Sequence, residues 1–279
     1  MISRLLASIF GRSKSPEAER PGAPDLPGVP GVPAGAALYA IGDIHGRLDL
    51  LAPLVALIRT EAAAAKTIVV TLGDYIDRGA DSRGVVEMLA DLAQTPGIEA
   101  HFLRGNHDQI LLEFLEDPTV GPYWRRVGGG ETLFSYGVEP PGTRKHMERW
   151  QAARDAFAAS LPERHLRFFQ DLNLSFTWGD YFFAHAGALP GTPLEAQTEE
   201  HLLWIRKPFL EHEGRFDRIV VHGHTPAAEA YADHRRVGLD TGAYMTGVLS
   251  ACRFEGGGRR LIQAVEMPDA PPEIRTRPL

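Results

Sequence analysis

Five times in this 279-residue chain a short apolar run ends in a glycine-flanked loop that carries Asp, Asn or His. The segments are "ALYAIGDIHG", "TIVVTLGDYIDRG", "IEAHFLRGNHD", "YFFAHAG" and "RIVVHGHTP". Runs of this kind read as short strands, and the glycines allow the tight turns that end them. Loops at the strand ends of an α/β sheet gather polar groups around a ligand. A single Asp after a strand reads as a turn or helix cap, and a single histidine as a packed or hydrogen-bonded side chain. Five such loops in one chain are hard to explain as caps.

Between the runs the apolar spacing turns helical, at Leu48 to Thr60, Ser82 to Gln94 and from Gln109 onward. Strands alternating with helices predict an α/β layered domain with mixed or parallel pairing. We place this domain at residues 37–266, with a helical insertion at about 117–172 over one side of the polar loops. Residues 13–36 are rich in Pro, Gly, Ala and Ser, so 1–36 reads as a disordered N-terminal tail. The apolar cluster Leu5, Leu6, Ile9 and Phe10 is too short for a signal peptide or a membrane span. A frayed terminus is expected there, with a weak interfacial helix as the alternative. The proline-rich 267–279 reads as a loose C-terminal tail.

A net charge of −7 argues against a nucleic-acid partner, because phosphate backbones reward a basic surface. It leaves room for a phosphorylated substrate in a small cationic pocket. Cys252 is the only cysteine, so no disulfide forms within the chain and a cytoplasmic location is expected. Cys252 itself reads as a small buried apolar residue.

The loop residues Asp43, His45, Asp74, Asp77, Asn106, His107, His185, His222 and His224 offer carboxylate, amide oxygen and imidazole, without a thiolate. That set suits Mn, Fe or Zn, and it is larger than one metal needs. Two metals about 3.5–4 Å apart, sharing a carboxylate, would use it and hold a bridging hydroxide. Arg78 and Arg104 adjoin these residues, and their planar forks match phosphate oxygens.

The motifs "GDIHG" (42–46), "GDYIDRG" (73–79), "GNHD" (105–108), "HAG" (185–187) and "HGHT" (222–225) occur in that order. Together they resemble the phosphoprotein phosphatase family of calcineurin-like metallophosphoesterases, most closely the bacterial branch that includes the lambda phage phosphatase. The resemblance covers about residues 37–265. It implies two mixed β-sheets packed as a sandwich and flanked by helices. It implies Asp43 and His45 as ligands of one metal, Asp74 as the bridging carboxylate, and Asn106, His185 and His224 as ligands of a second. The pair of divalent ions is expected to be manganese, with iron or zinc as alternatives.

By the same resemblance His107 is the general acid and Asp77 the carboxylate that orients it. Arg78 and Arg104 match phosphate-binding positions, and Arg206 in "LLWIRKPF" does so more loosely. His222 falls outside the matched ligand positions and is expected to support them. The implied reaction is attack on phosphorus by a hydroxide activated by two metals, with no phosphoenzyme.

The expected substrate is a protein or peptide phosphorylated on Ser or Thr, or a phosphorylated small molecule. The alternative is symmetrical hydrolysis of dinucleoside tetraphosphates, by a related group that carries Ala where this chain has Asp77. Two departures bear on substrate. Asp108 stands where eukaryotic members carry Glu, and "LDTGAYMTG" (239–247) replaces the eukaryotic C-terminal loop pattern. "VGGGETLFSYG" reads as a helix-capping loop, and the four tryptophans as packing, with Trp204 nearest the site. His101, His165, His201 and His212 lack the loop context and are not expected to be ligands.

Overall fold

Runs that are apolar at every position need cover on both faces, and the fold supplies it with two sheets and an outer layer of helices. The computed structural model describes residues 30–62, 66–142 and 146–279. The strands are β1 (Ala36–Ile41), β2 (Lys66–Thr71), β3 (Ile98–Phe102), β4 (Ser175–Trp178), β5 (Tyr181–Ala184), β6 (Ile219–His222), β7 (Tyr231–Ala232), β8 (Arg236–Gly238), β9 (Val248–Glu255), β10 (Gly258–Met267) and β11 (Ala270–Pro278). One sheet has the order β11-β10-β9-β1-β2-β3 and the other β4-β5-β6-β8-β7. Both are mixed: β1, β2 and β3 run parallel while β9 to β11 are antiparallel, and parallel β5, β6 and β8 are edged by antiparallel β4 and β7.

The strand alternation sorts the side chains into layers. Leu38, Ala40, Ile68 and Val70 face the core between the sheets, where they meet Tyr181, Phe183, Val221 and Val237. Tyr39, Ile41 and Val69 face the other way, onto Leu51 and Val55 of α1 (Leu48–Ala62) and Val86 and Leu89 of α2 (Ser82–Leu92). The second sheet turns Phe182, Ala184 and Val220 to its own outer cluster. The expected sandwich of two mixed sheets with flanking helices is what the chain forms.

After β3 comes α3 (Asn106–Glu116), followed by α4 (Gly121–Trp124), α5 (Gly130–Ser135), α6 (Met147–Ser160) and α7 (Glu163–Gln170). Single turns at Pro118–Val120 and Arg125–Gly129 link the first of these. The second sheet adds α8 (Glu199–Trp204) and α9 (Lys207–Leu210), and α10 (Ala243–Thr246) precedes β9. Among the described residues no helix is long and apolar enough to cross a membrane.

Both domain boundaries move outward from the sequence reading. The supposed C-terminal tail is β11, paired antiparallel with β10 from Met267↔Ala270 to Arg260↔Pro278. Its prolines sit on an edge strand, where no ladder partner needs their missing N–H, and Ile274 packs on the helix-side core. At the other end Val32 is buried between the sheets, and its N–H donates to Gly256 O at 3.0 Å. Gly31 donates to the Asp180 carboxylate at 2.9 Å. Residues 30–36 therefore belong with the domain; the rest of the proposed N-terminal tail, 1–29, lies outside the described residues.

Candidate metal centre

Each candidate side chain leaves the end of a buried strand. Asp43 and His45 follow β1, Asp74 to Arg78 follow β2, and Asn106 and His107 open α3 just after β3. His185 follows β5, and His222 and His224 lie at the end of β6. The loops turn sharply: His45, Asp74, Asp77, Arg78 and His224 all have positive φ, between 46° and 73°. Asp and His tolerate this left-handed region better than most residues, whereas Arg78 adopts it against its preference. One close approach demands glycine. A Cβ on Gly223 would fall 1.9 Å from Asp43 Oδ1.

The loops from both sheets converge on Asp74. Its Oδ2 is 3.4 Å from His45 Nε2 and 4.0 Å from His107 Nε2. Its Oδ1 faces the other side, 3.5 Å from His185 Nε2. Two groups thus form, His45–Asp74–His107 and Asp74–His185–His224, and within each the ligand atoms lie within 4.8 Å of one another. Asn106 Oδ1 completes the second, 3.0 Å from His185 Nε2 and 2.8 Å from His224 Nδ1. Asp43 borders both the loop after β6 and the carboxylate cluster; the His224 N–H donates to its two oxygens at 3.1 and 3.0 Å.

The protonation pattern fits cations. His45 Nδ1 donates to Ile76 O at 2.7 Å, and His185 Nδ1 to Leu72 O at 2.8 Å. A carbonyl only accepts, so in each neutral ring the Nε2 lone pair is the atom turned inward. Burial keeps the rings neutral: it pulls His45 down to about 3 and His224 to about 2, and lowers His185. At His185 a lone pair therefore faces the Asn106 oxygen, acceptor against acceptor, an arrangement that a cation between them relieves. Carboxylates crowd the same space. Burial, then Asp240 and Asp74, push Asp43 well above the usual carboxylate range, and burial pushes Asp240 up to about 6. Buried negative charge of this density calls for positive charge beside it. Nitrogen and oxygen donors without thiolate suit borderline or hard divalent ions.

His107 sits at the edge of this centre. Its Nδ1 is 2.6 Å from Asp77 Oδ2. Burial opposes the charged ring, but Asp74 and hydrogen-bonded Asp77 outweigh it and raise His107 above its ordinary value. Arg78 bridges the group, with Nη1 3.1 Å from His45 Nε2 and Nη2 2.9 Å from His107 Nε2. That last contact is made to a ring lone pair and favours the neutral form; one guanidinium stands against two carboxylates, and the upward direction prevails.

Arg104 is held by Gln109 Oε1 at 3.1 Å and Leu172 O at 3.5 Å. Arg206 is exposed, donates to Thr225 Oγ1 at 3.2 Å, and acts electrostatically on His185 and His224. His222 stays out of both groups: Nδ1 meets Gly223 O at 3.0 Å and Nε2 meets Arg236 at 2.9 Å. The Trp204 ring lies 6.4 Å from that of His224.

Several residues at the site went unread in the sequence. "VGGGETLFSYG" does more than cap a helix, since Arg78 N–H donates to Gly128 O at 3.0 Å and Arg78 Nε to Val127 O at 3.3 Å. Tyr244 lies under the Arg78 guanidinium, 4.6 Å from ring centre to Cζ. Asp240 follows β8 in "RVGLDTG", so the strand-then-loop rule that found the others points to it as well. Trp124 and Thr132, both bonded to Asp77, carry no such signal.

The family profile of calcineurin-like phosphoesterases matches residues 37–249. The chain is 25% identical over 236 residues to the asymmetrical bis(5'-nucleosyl)-tetraphosphatase PrpE of Oceanobacillus iheyensis, covering 77% of this chain and 87% of that one. It is also 25% identical over 225 residues to serine/threonine-protein phosphatase 1 of Salmonella typhimurium, covering 78% and 92%. Among solved structures, the cold-active protein-tyrosine phosphatase of a psychrophilic Shewanella species superposes with a TM-score of 0.52 at 16% identity, covering 84% of this chain and 81% of that one. That likeness concerns the fold alone. With the profile spanning most of the chain, and with a cluster that suits a pair of cations at the strand ends, the chain belongs to the calcineurin-like phosphoesterase family, hydrolases built on a dinuclear metal centre.

Proposed function

We propose that the chain is a metal-dependent phosphomonoesterase that acts on phosphoserine and phosphothreonine in proteins or peptides. The observation that carries this reading is the buried His107–Asp77 pair beside Asp74. A serine or threonine alkoxide is a poor leaving group and needs a proton as the P–O bond breaks. A nucleoside phosphate leaves as a stable anion and has little need of one. Asp77 holds Nδ1 of the acid, so Nε2 is the atom that gives its proton to the departing oxygen.

Asp43, His45 and Asp74 would hold one cation, and Asp74, Asn106, His185 and His224 the other. Two divalent ions bound there, by our reading manganese with iron or zinc as alternatives, would supply Lewis-acid polarisation of the phosphoryl group and lower the pKa of water toward neutrality. Arg78, with Arg104 and Arg206 at the rim, binds the equatorial phosphoryl oxygens and offsets the charge that grows on them.

A second reading is hydrolysis of dinucleoside tetraphosphates. It is supported by the similarity to PrpE, which is as strong as that to the protein phosphatase. One experiment separates the two: rates on phosphoserine and phosphothreonine peptides beside rates on a dinucleoside tetraphosphate, with bound metal quantified. The expected outcome is a higher kcat/KM for the peptides in protein that carries two ions per chain. The reverse order would hand the site to the nucleotide reading.

A further inference from the structure

The Asp77 carboxylate is wholly buried and is held from three directions, two of which lie in the helical insertion. His107 Nδ1 meets Oδ2 at 2.6 Å. Trp124 Nε1, at the end of α4, donates to Oδ2 at 2.9 Å and to Oδ1 at 3.1 Å. Thr132 Oγ1, on α5, donates to Oδ1 at 2.6 Å and accepts the Asp77 N–H at 2.9 Å. A hydroxyl has one proton, and that of Thr132 goes to Asp77. Ser82 Oγ, 3.1 Å away, is then the donor of that pair. Every partner of the carboxylate donates, so its plane is fixed and it is free only to accept.

We propose that Trp124 and Thr132 are positioning residues for the general acid, holding Asp77 so that it aims His107 Nε2 at the departing oxygen. The idea rests on the phosphomonoesterase reading above. In the step concerned, a hydroxide oxygen bonds to phosphorus and the P–O bond to the leaving group breaks. Its electron pair stays on the leaving oxygen, which takes the Nε2 proton, and the ring regains a proton from water. Asp77 gains and loses none. The insertion thereby forms part of the catalytic apparatus.

The test compares leaving groups in the full-length, manganese-loaded chain. p-Nitrophenolate leaves with little help from an acid, whereas the alkoxide of a phosphoserine peptide depends on it. Thr132→Val keeps the side-chain volume and removes the hydroxyl. It is expected to lower kcat about tenfold or more on the peptide and less than about threefold on p-nitrophenyl phosphate, with KM and metal content little changed. Thr132→Ser restores the peptide rate. Trp124→Phe, which keeps a ring against Phe114 and Phe157, shows the same substrate dependence and serves if Thr132→Val does not fold. Equal losses on both substrates, or no rescue by serine, overturn the proposal. If the wild-type chain hydrolyses neither ester, the phosphomonoesterase reading falls and takes this inference with it; if it hydrolyses both and the variants show no leaving-group dependence, this inference falls alone.

Discussion

Asp74 reaches two sides at once because its backbone is left-handed, with φ at 53°. The turn swings the carboxylate away from β2, so that Oδ1 meets His185 and Oδ2 meets His45. Nothing larger than glycine fits behind it: a Cβ on Gly105 would lie 2.1 Å from Oδ1. One carboxylate thus belongs to both groups. Asp74→Asn is therefore expected to weaken both together, which metal titration of the purified variant would register as loss of two ions. Retention of one ion at wild-type affinity would place the shared carboxylate elsewhere. Residues of this kind are visible in a sequence because each ends an apolar run beside a glycine. Trp124 and Thr132 are not, because they come to Asp77 from 47 and 55 positions away. Only the packed insertion brings them there, and on their own they read as an ordinary core indole and a helical threonine.

At the scale of elements, α3 begins at Asn106, three residues before the apolar periodicity that announces it. Its first turn is polar, and the sequence pattern alone places that turn in the preceding loop. Asp108 explains how it folds. Its Oδ2 accepts the N–H groups of Gly105 and Asp74 at 2.8 and 2.9 Å, and its Oδ1 that of Tyr75 at 3.2 Å. One buried side chain thus caps the helix and ties it to the loop after β2. Asp108→Ala would strand three buried donors at about 1–3 kcal/mol each, so a loss of at least about 3 kcal/mol is expected. Asp108→Asn keeps one accepting oxygen and should lose less. Urea unfolding with an unchanged m-value checks both, and equal midpoints for the Ala variant and the wild type would remove Asp108 from this role. The strand β11 was hidden for a different reason. Its prolines resemble those of a linker, and only the free edge of β10 makes them acceptable.

At the scale of the molecule, burial of histidines ties stability to pH. His222 illustrates this without being a proposed ligand. Burial, then Arg236, hold it down to about 3, against 6.5 for an ordinary histidine. Between those values the unfolded chain binds a proton at this position that the folded chain does not, so the stability His222 contributes is lost as pH falls below about 6.5. Asp43 and Asp240 are shifted upward and pull the opposite way, so the useful measure is a difference. The gap in unfolding free energy between wild type and His222→Gln is expected to narrow by roughly 1.4 kcal/mol per pH unit below that point. Urea midpoints at neutral pH and near pH 5 test it, and a constant gap would mean that His222 takes up protons equally in both states.

The layered plan was legible from the alternation of strands and helices, whereas the pairing of β9 to β11 at one edge depends on contacts between distant segments. That topology has a consequence for how the protein is made. Asp43, His45, Asp74 and Asn106 come from one sheet, and His185 and His224 from the other. The first sheet by itself supplies Asp43, His45 and Asp74, whereas the group built on His185 and His224 needs both layers. A chain emerging from the ribosome has to bring its last third into place before that second group is complete, so a cation held there would bind late in assembly and pin the seam between the layers.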